Sequence, residues 1–188
     1  MAKKKSKKNM LSIVLAIVVV ALAVVTVCTM FMPVFTTKTS ALGGAVSSTS
    51  HIKGLDVITA AFKGETSTDL SNGANALIAL KNSDEAGAVT GIFCWMYFLT
   101  VVVSAAILVF AVLRIFGLRF KLVNSILGLA VIVLALVAFI CGFVVASKFA
   151  SVDLGSWLSG KTVANVANYF MLLGVAAGGT DICLARRK

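Results

Sequence analysis

The sequence predicts an all-α membrane protein: a four-transmembrane-helix bundle with a long extracellular loop between helices 1 and 2. The first observation behind this fold class is composition, since 60% of the 188 residues are hydrophobic and only 13% are charged. Soluble domains are about 45–50% apolar and about 25% charged. The other two observations are that the apolar residues form four long blocks and that basic residues gather beside them. Such a composition excludes a disordered chain and a disulfide-stapled secreted module, and it argues against a soluble enzyme.

Residues 1–9 are predicted to form a basic cytoplasmic N-terminus, and residues 10–35 the first transmembrane helix. The apolar run is much longer than the roughly 7–15 residues of a cleavable signal peptide, and no clean cleavage site follows it. A lipoprotein site at Cys28 would need a small residue just before the cysteine, where the chain has Val27. An uncleaved helix is therefore expected. Five lysines are expected to hold the N-terminus inside and to contact anionic lipid: Lys3, Lys4, Lys5, Lys7 and Lys8.

Residues 36–88 are predicted to form the extracellular loop or a small cap. The segment is rich in Ser, Thr, Gly and Ala, and it contains neither tryptophan nor cysteine. Apolar residues recur at helical spacing over 52–62 and again over 70–78, which indicates two short amphipathic helices. A partly ordered connection is the alternative. A loop this long is the most favourable place in the chain for a partner-binding surface.

Three further apolar blocks complete the predicted bundle. The shortest of the four has 22 residues, which as a helix extends about 33 Å and crosses a hydrocarbon core of about 30 Å. Backbone polar groups in lipid must be satisfied within the segment, so each block is expected to be helical. The predicted segments are transmembrane helices at 89–116, 122–146 and 163–184, a cytoplasmic turn at 117–121, a short extracellular loop at 147–162 and a basic cytoplasmic tail at 185–188.

The distribution of lysine and arginine predicts the orientation. Four crossings place eleven basic residues and one acid, Asp181, on one side, whereas the other side has six lysines and six acids. The positive-inside rule assigns both termini and the central turn to the cytoplasm of a plasma membrane, which we expect to be bacterial. The formal net charge of +10 is thus a topology signal, and no nucleic-acid partner is expected. Besides the N-terminal lysines, the inner basic residues are Arg114, Arg119, Lys121, Arg186, Arg187 and Lys188.

The fourth span has the most informative helical face. A 4-3-4-3 spacing aligns small residues with one acid, and Gly174-x-x-x-Gly178 permits close approach of another helix. Asp181 follows near the cytoplasmic boundary, where an ion pair with Arg114, Arg119 or Lys121 is expected to satisfy it. An ion or proton site is the functional alternative for this acid. The face consists of Ala167, Met171, Gly174, Gly178 and Asp181, and Asn165 and Asn168 add a polar patch at the outer end.

Two other patterns suggest chemistry that their context does not support. Residues Gly155–Thr162 match the phosphate-loop pattern G-x-x-x-x-G-K-[ST], but they follow a membrane span and lack the acid-terminated strand that would hold magnesium. We expect the match to be a coincidence and no nucleotide to bind. Thr162 is expected to cap span four, and Trp157 is expected to lie at the lipid boundary. The four cysteines have no metal or disulfide spacing and are expected to pack as small apolar residues: Cys28, Cys94, Cys141 and Cys183.

The spans contain no catalytic set. The single histidine, His51, lies in the predicted outer segment, and no carboxylate pair or nucleophile elbow lies within the spans. Intramembrane proteases and lipid-modifying enzymes need such groups. The sequence therefore predicts no enzyme, no cofactor and no metal site.

Cytoplasmic termini, four spans, a long first outer loop and a short second one together resemble the claudin-like and tetraspan arrangement. This resemblance implies lateral assembly and recognition through the large loop. It covers topology alone, because residues 36–88 lack the Gly-Leu-Trp motif and cysteine pair of a claudin, and tetraspanins carry their large loop between the last two spans.

The sequence predicts a non-enzymatic integral membrane scaffold or accessory subunit that acts through helix packing and its extracellular loop. Its expected partners are the lipid bilayer and either other membrane proteins or further copies of itself. The alternative is a small transporter or channel component with a polar wall on helix 4, formed by Asn165, Asn168 and Asp181. Such a path usually needs more polar lining than spans one to three offer.

Overall fold

The computed structural model describes residues 2–41, 46–64, 73–84, 86–116, 118, 120–150 and 158–186. In this part of the chain, the connections between four long helices contain two short helices and three strands. The helices are α1 (Ala2–Cys28), α2 (Gly54–Phe62), α3 (Gly73–Lys81), α4 (Gly87–Ile115), α5 (Lys121–Ala150) and α6 (Val166–Arg186), and the strands are β1 (Pro33–Ala41), β2 (Val46–Lys53) and β3 (Leu158–Ala164).

The long helices α1, α4, α5 and α6 are each apolar and long enough to cross a membrane, which confirms the prediction of a multi-pass membrane protein. Mean hydropathy is 3.1 over the spans Met10–Phe31 and Lys121–Lys148, 2.6 over Gly87–Ile115 and 1.3 over Val166–Ala185, so the span that carries Asp181 is the least apolar. Between 22% and 39% of the residues in the most apolar part of each helix are buried within the protein. Many of the others present large apolar side chains outward, a surface that calls for lipid around it.

Two predicted spans differ from the helices at the point where each meets a strand. The predicted first span extends to residue 35, whereas α1 ends at Cys28 and a 3-10 turn at Thr29–Phe31 leads into β1. Pro33 has no N–H and restricts the preceding residue, and Met32 is accordingly extended, with φ −90° and ψ 155°. The predicted fourth span begins at residue 163, whereas β3 continues to residue 164 and α6 begins at residue 166.

Small and branched apolar side chains pack the four long helices against one another. Helix α5 packs against α4 and α6, and α1 also packs against α4 and α6. Lipid tails are as apolar as leucine, so close packing rather than water exclusion has to stabilise these contacts. All four helices contribute to one cluster, here named the apolar plug, which consists of Ala16, Val19, Ala23, Ile107, Ala111, Val131 and Leu184.

An antiparallel sheet in the order β2-β1-β3 lies at one end of the long helices. Strands β1 and β2 follow α1, but β3 precedes α6, so the sheet joins segments from both predicted outer loops. The Oγ1 atoms of Thr37 and Thr162, 125 residues apart in sequence, lie 3.1 Å apart across it. The all-α prediction did not include this sheet. Its end of the molecule is named the sheet end, and the opposite end, where α4 and α6 finish and α5 begins, is named the Arg114 end.

Helices α2 and α3 cover the sheet end. The sequence predicted helices over 52–62 and 70–78, and the structure begins them at Gly54 and Gly73, with residues 65–72 outside the described part. The Lys81 ammonium at the end of α3 donates hydrogen bonds to the carbonyl oxygens of Ala60, at 3.1 Å, and Lys63, at 3.3 Å. It therefore caps the C-terminus of α2. The apolar core beneath, named the sheet-end core, includes Val34, Phe35, Ile52, Val57, Leu77, Ile78, Phe93 and Tyr97.

Gly54 allows α2 to begin directly against the 3-10 turn that ends α1. A Cβ at this position would lie 2.5 Å from the Cα atom of Met30 and 2.7 Å from the carbonyl oxygen of Thr29. The hydroxyl of Tyr97 on α4 donates to the Oγ1 atom of Thr29 at 3.2 Å, also beneath α2. Helix α2 is thus packed on the end of α1 and on α4, and it is not part of a separate domain.

Candidate functional site

The most concentrated polar chemistry in the described part of the spans lies at the Arg114 end. Asp181 on α6 lies 3.9 Å from Arg114 on α4, measured from Oδ1 to Nη1, and the Asn124 amide on α5 donates to the same Oδ1 at 3.2 Å. Arg114 also donates through Nη2 to the carbonyl oxygen of Leu184. Three helices therefore meet at one carboxylate. Asp181, Arg114 and Asn124 are named the Asp181 cluster.

The three side chains of the Asp181 cluster are almost entirely buried. The side chains of Asp181 and Arg114 are 2% and 10% exposed, and Asn124 is 2% exposed. Ions in such a place are costly unless paired, and removing one partner of a buried pair leaves an uncompensated charge. The guanidinium beside the C-terminal carbonyls of α6 also lies at the negative end of that helix dipole. The arrangement can lock α4, α5 and α6 together.

The expected ion pair of Asp181 is present, and its partner is Arg114. Arg119 lies outside the described residues, and Lys121 is exposed on the first turn of α5. Sequence reasoning missed Asn124. The signal was available, because Asn124 is the one carboxamide in the apolar block 122–146, and an isolated amide in lipid needs a polar partner.

Glycines set the distance between the two helices that carry Asp181 and Asn124. A Cβ at Gly128 would lie 2.8 Å from the carbonyl oxygen of Gly178, and one at Gly178 would lie 2.6 Å from Cγ1 of Val131. Both glycines lie one helical turn from the polar residue of their own helix. The close approach at Gly178 thus brings the amide of Asn124 to the carboxylate of Asp181.

Gly174 differs from Gly178, although both belong to the predicted packing motif. A Cβ at Gly174 would lie 3.5 Å from Cβ of Ala135 and 3.5 Å from Cγ2 of Thr26, which is ordinary van der Waals contact. The glycine that α5 requires on α6 is therefore Gly178. Its counterpart Gly128 was not singled out from the sequence.

Asn165 and Asn168, the predicted outer polar patch, have separate environments. The Asn165 amide donates to Thr36 Oγ1 at 2.7 Å, and its Oδ1 accepts the N–H of Val166 at 2.7 Å, so Asn165 joins the sheet to α6. Thr162 was expected to cap this helix, but it lies within β3 and contacts Thr37 instead. Asn168 is fully buried against Gly142, and neither of its amide atoms has a hydrogen-bond partner among the described residues.

The polar residues of α6 do not form one continuous wall. Asn168 and Asp181 are thirteen residues apart, about 20 Å along a helix. Buried Met171 and Ala177 lie between them on α6, and the apolar plug lies on the same interior. Thr26, near the end of α1, and Thr100, near the middle of α4, are both buried, and each hydroxyl donates to a carbonyl of its own helix. A polar path from end to end is therefore interrupted within the described interior.

Several predicted residues contribute no side-chain geometry to a site. Helix α1 begins at Ala2, so the backbone of the five N-terminal lysines (Lys3, Lys4, Lys5, Lys7 and Lys8) is helical, but their side chains lie outside the described ones. The same holds for the Arg186 side chain, and Arg187, Lys188 and Trp157 lie outside the described residues altogether.

The phosphate-loop match falls on a strand. Residues 155–157 lie outside the described part, and Gly160, Lys161 and Thr162 belong to β3, where they pair with β1. A phosphate loop has to open a helix so that its N–H groups converge on phosphate. These residues instead use their backbone in the sheet ladder.

All four cysteines are free thiols in the structure, and only Cys94 is fully buried. Across the described residues, no three His, Cys, Asp or Glu side chains come together in a way that would hold a metal ion. The candidate functional regions of the described residues are therefore the Asp181 cluster and the surface of the sheet end.

The chain matches no known protein-family model, and a search of curated proteins finds no similar sequence. The fold itself defines the class: a multi-pass membrane protein with four helices able to span the bilayer.

Proposed function

We propose that this protein is a non-enzymatic membrane scaffold or accessory subunit whose contact surface is the sheet end. The observation that carries the proposal is that the two segments predicted as outer loops fold into one sheet on a shared core. Partner binding commonly resides on connecting segments that a rigid scaffold positions.

The surface we assign to partner contact is the exposed face of the sheet, named the polar sheet face. Alternation along the strands turns Phe35 and Ile52 into the sheet-end core and leaves the neighbouring residues outside. Thr36 Oγ1 lies 3.1 Å from Nδ1 of His51 on the adjacent strand, and Val163 beside them is 52% exposed. The described members of the polar sheet face are Thr36, Lys38, Thr49, His51 and Val163.

The proposed orientation of the protein in the membrane follows from the distribution of charge. Eleven basic residues and one acid belong to the Arg114 end by topology, against six lysines and six acids at the sheet end. The positive-inside rule supports a cytoplasmic Arg114 end and an extracellular sheet end in a plasma membrane, which we take to be bacterial. On this basis the molecule is a four-helix bundle of claudin-like arrangement, a classification that rests on topology alone.

The experiment that tests the proposal is native mass measurement after purification in mild detergent. A scaffold is expected to have a mass above that of one 19.6 kDa chain, through a second copy or an identified partner. Thr49→Lys places a charge on the polar sheet face and should return the protein to a single chain. Ser50→Lys is the matched control, because Ser50 is also exposed but lies on the opposite face of β2. A lone monomer for the unmodified chain would contradict the proposal.

A small transporter or channel component is the second candidate, and unsatisfied buried polar atoms favour it. Oδ2 of Asp181 and both amide atoms of Asn168 are buried without a hydrogen-bond partner among the described residues. Intramembrane acids mark ion or proton pathways in many proteins. Against it, the buried apolar residues Met171 and Ala177 lie between the two groups on α6. Ion or proton flux into liposomes that Asp181→Asn abolishes would establish this second candidate, provided that the variant is still folded.

A further inference from the structure

An open groove of about 470 Å³ lies between the start of α5 and the end of α6. This volume falls within the range of about 300–1,000 Å³ that small-molecule sites occupy. Four of its lining residues come from the first two turns of α5, and the fifth is the small residue Ala185 of α6. The groove is lined by Lys121, Leu122, Ser125, Ile126 and Ala185.

The groove has a polar stripe and an apolar stripe side by side. Lys121 and Ser125 are four residues apart and share one face of α5, and Leu122 and Ile126 share the adjacent face for the same reason. Leu122 and Ile126 are 73% and 58% exposed, and Lys121 is exposed as well. A ligand that fits has an anionic group beside an apolar chain.

Charge at this end of the molecule is left uncompensated. Arg114 is engaged by Asp181 and by the carbonyl of Leu184, so the one acid of this end is already paired. Lys121 forms no ion pair with any residue that the structure describes. Its ammonium therefore offers a positive charge to a ligand at the mouth of the groove.

The apolar stripe continues out of the groove along the lipid-facing side of α5. Leu129 and Val133 follow Leu122 and Ile126 on one helical face and are 60% and 54% exposed. From Leu122 to Val133 the stripe extends about 16 Å, which is about half of a 30 Å hydrocarbon core. The stripe is therefore about as long as one leaflet is thick, which is the distance over which an acyl chain would lie.

We propose that this groove binds one anionic phospholipid, with its phosphate at Lys121 and Ser125 and an acyl chain along Leu122, Ile126 and Leu129. Basic pockets between transmembrane helices are known to select anionic headgroups. The inference goes beyond the proposed function and does not depend on it, because it needs only that the helices span a membrane.

The test is native mass spectrometry of the full chain titrated with phosphatidylglycerol and with phosphatidylcholine of identical acyl chains. The unmodified protein is expected to retain one phosphatidylglycerol in preference to phosphatidylcholine, by about fivefold for one lysine near an anionic headgroup. Lys121→Gln should abolish the preference. Lys63→Gln removes the same charge from an exposed position at the sheet end, outside the polar sheet face, and should leave the preference intact.

A second variant keeps the charge and closes the groove. Ser125→Leu is expected to lose the bound phosphatidylglycerol while the protein stays monodisperse, which separates the groove from general attraction to anionic lipid. Equal retention of both lipids by the unmodified chain, or an equal loss in Lys63→Gln and Lys121→Gln, would overturn the proposal. Displacement of the lipid by inorganic phosphate would also overturn it. So would the finding that a second copy of this chain occupies the groove and is released by Leu122→Gln.

Discussion

The sheet end and the Arg114 end of this molecule achieve order by different means. The sheet end buries aromatic side chains, with the rings of Phe35 and Phe93 centred 5.4 Å apart, under a sheet and two capping helices. Among the described residues, the Arg114 end consists of helix termini that are joined by the three-residue Asp181 cluster, and the rings of Phe110 and Phe120 are centred 5.6 Å apart beside it. Outside lipid, the exclusion of water from apolar side chains stabilises a fold, whereas within lipid close packing and polar contacts have to join the helices. Each end is therefore stabilised by the interaction that its surroundings leave effective.

The largest expected effect comes from breaking the polar cluster. Asp181→Ala leaves the guanidinium of Arg114 without its carboxylate, and we expect the free energy of unfolding to fall by about 3–5 kcal/mol. Unfolding in mixed detergent micelles measures it. The double variant Asp181→Ala with Arg114→Met removes both charges and should recover more than half of the loss. A change below about 1 kcal/mol in the single variant would mean that the pair does not hold this end.

Next in size is the glycine crossing that positions the cluster. Gly178→Ala would force its Cβ against Val131 and the backbone of α5, and such overpacking costs about 1–3 kcal/mol. Gly174→Ala is the matched control on the same helix face, because its Cβ would meet neighbours only at 3.5 Å. Equal losses in the two variants, by the same micelle unfolding measurement, would refute the assignment of the close approach to Gly178.

A smaller effect should be confined to the sheet end. Lys81→Met removes the ammonium that caps α2, with an expected cost of about 1.5 kcal/mol for hydrogen bonds from a charged donor. Hydrogen exchange should quicken at the amides of α2 and stay unchanged around Asp181. Lys63→Met removes an exposed lysine from the same region and should alter neither. Faster exchange at both ends of the molecule would show that the two ends are not independent.

The smallest expected effect is the loss of one hydroxyl contact within the sheet. Thr37→Val removes the partner of Thr162, which is 7% exposed, and should cost about 1 kcal/mol. The double variant with Thr162→Val leaves no buried hydroxyl unpaired and should be closer to the original stability. Thermal unfolding of both single variants and of the double variant checks this. A double variant that loses as much stability as the two single changes together, or more, would contradict the pairing.

The sequence predicted the spans well because a helix in lipid is a local structure. Length, apolar content and internal hydrogen bonding decide it within one segment, and the ion pair of Asp181 followed from the cost of an isolated acid. The sheet could not be predicted in this way. Its strands are rich in Ser and Thr, and β3 pairs with β1 across more than a hundred residues. Long-range pairing of this kind leaves no local periodicity in either segment.

The candidate site was predicted in part for the same reason. Asp181, Gly178 and Arg114 each have a local signal, but the meeting of Asn124 with Asp181 depends on how α5 and α6 cross at Gly128. The cap of α6 shows a similar limit. Thr162 has the right residue type to begin a helix, but its hydroxyl is taken by Thr37, and Asn165 acts in its place.

Cysteine labelling in intact cells tests the proposed orientation, in which the Arg114 end is cytoplasmic and the sheet end is extracellular. In a background with the four native cysteines changed to serine, Thr49→Cys reports on the sheet end and Lys121→Cys on the Arg114 end; both positions are exposed. A membrane-impermeant maleimide is expected to label Thr49→Cys in intact cells and Lys121→Cys only after permeabilisation. Labelling of Lys121→Cys in intact cells, with Thr49→Cys protected, would contradict this orientation.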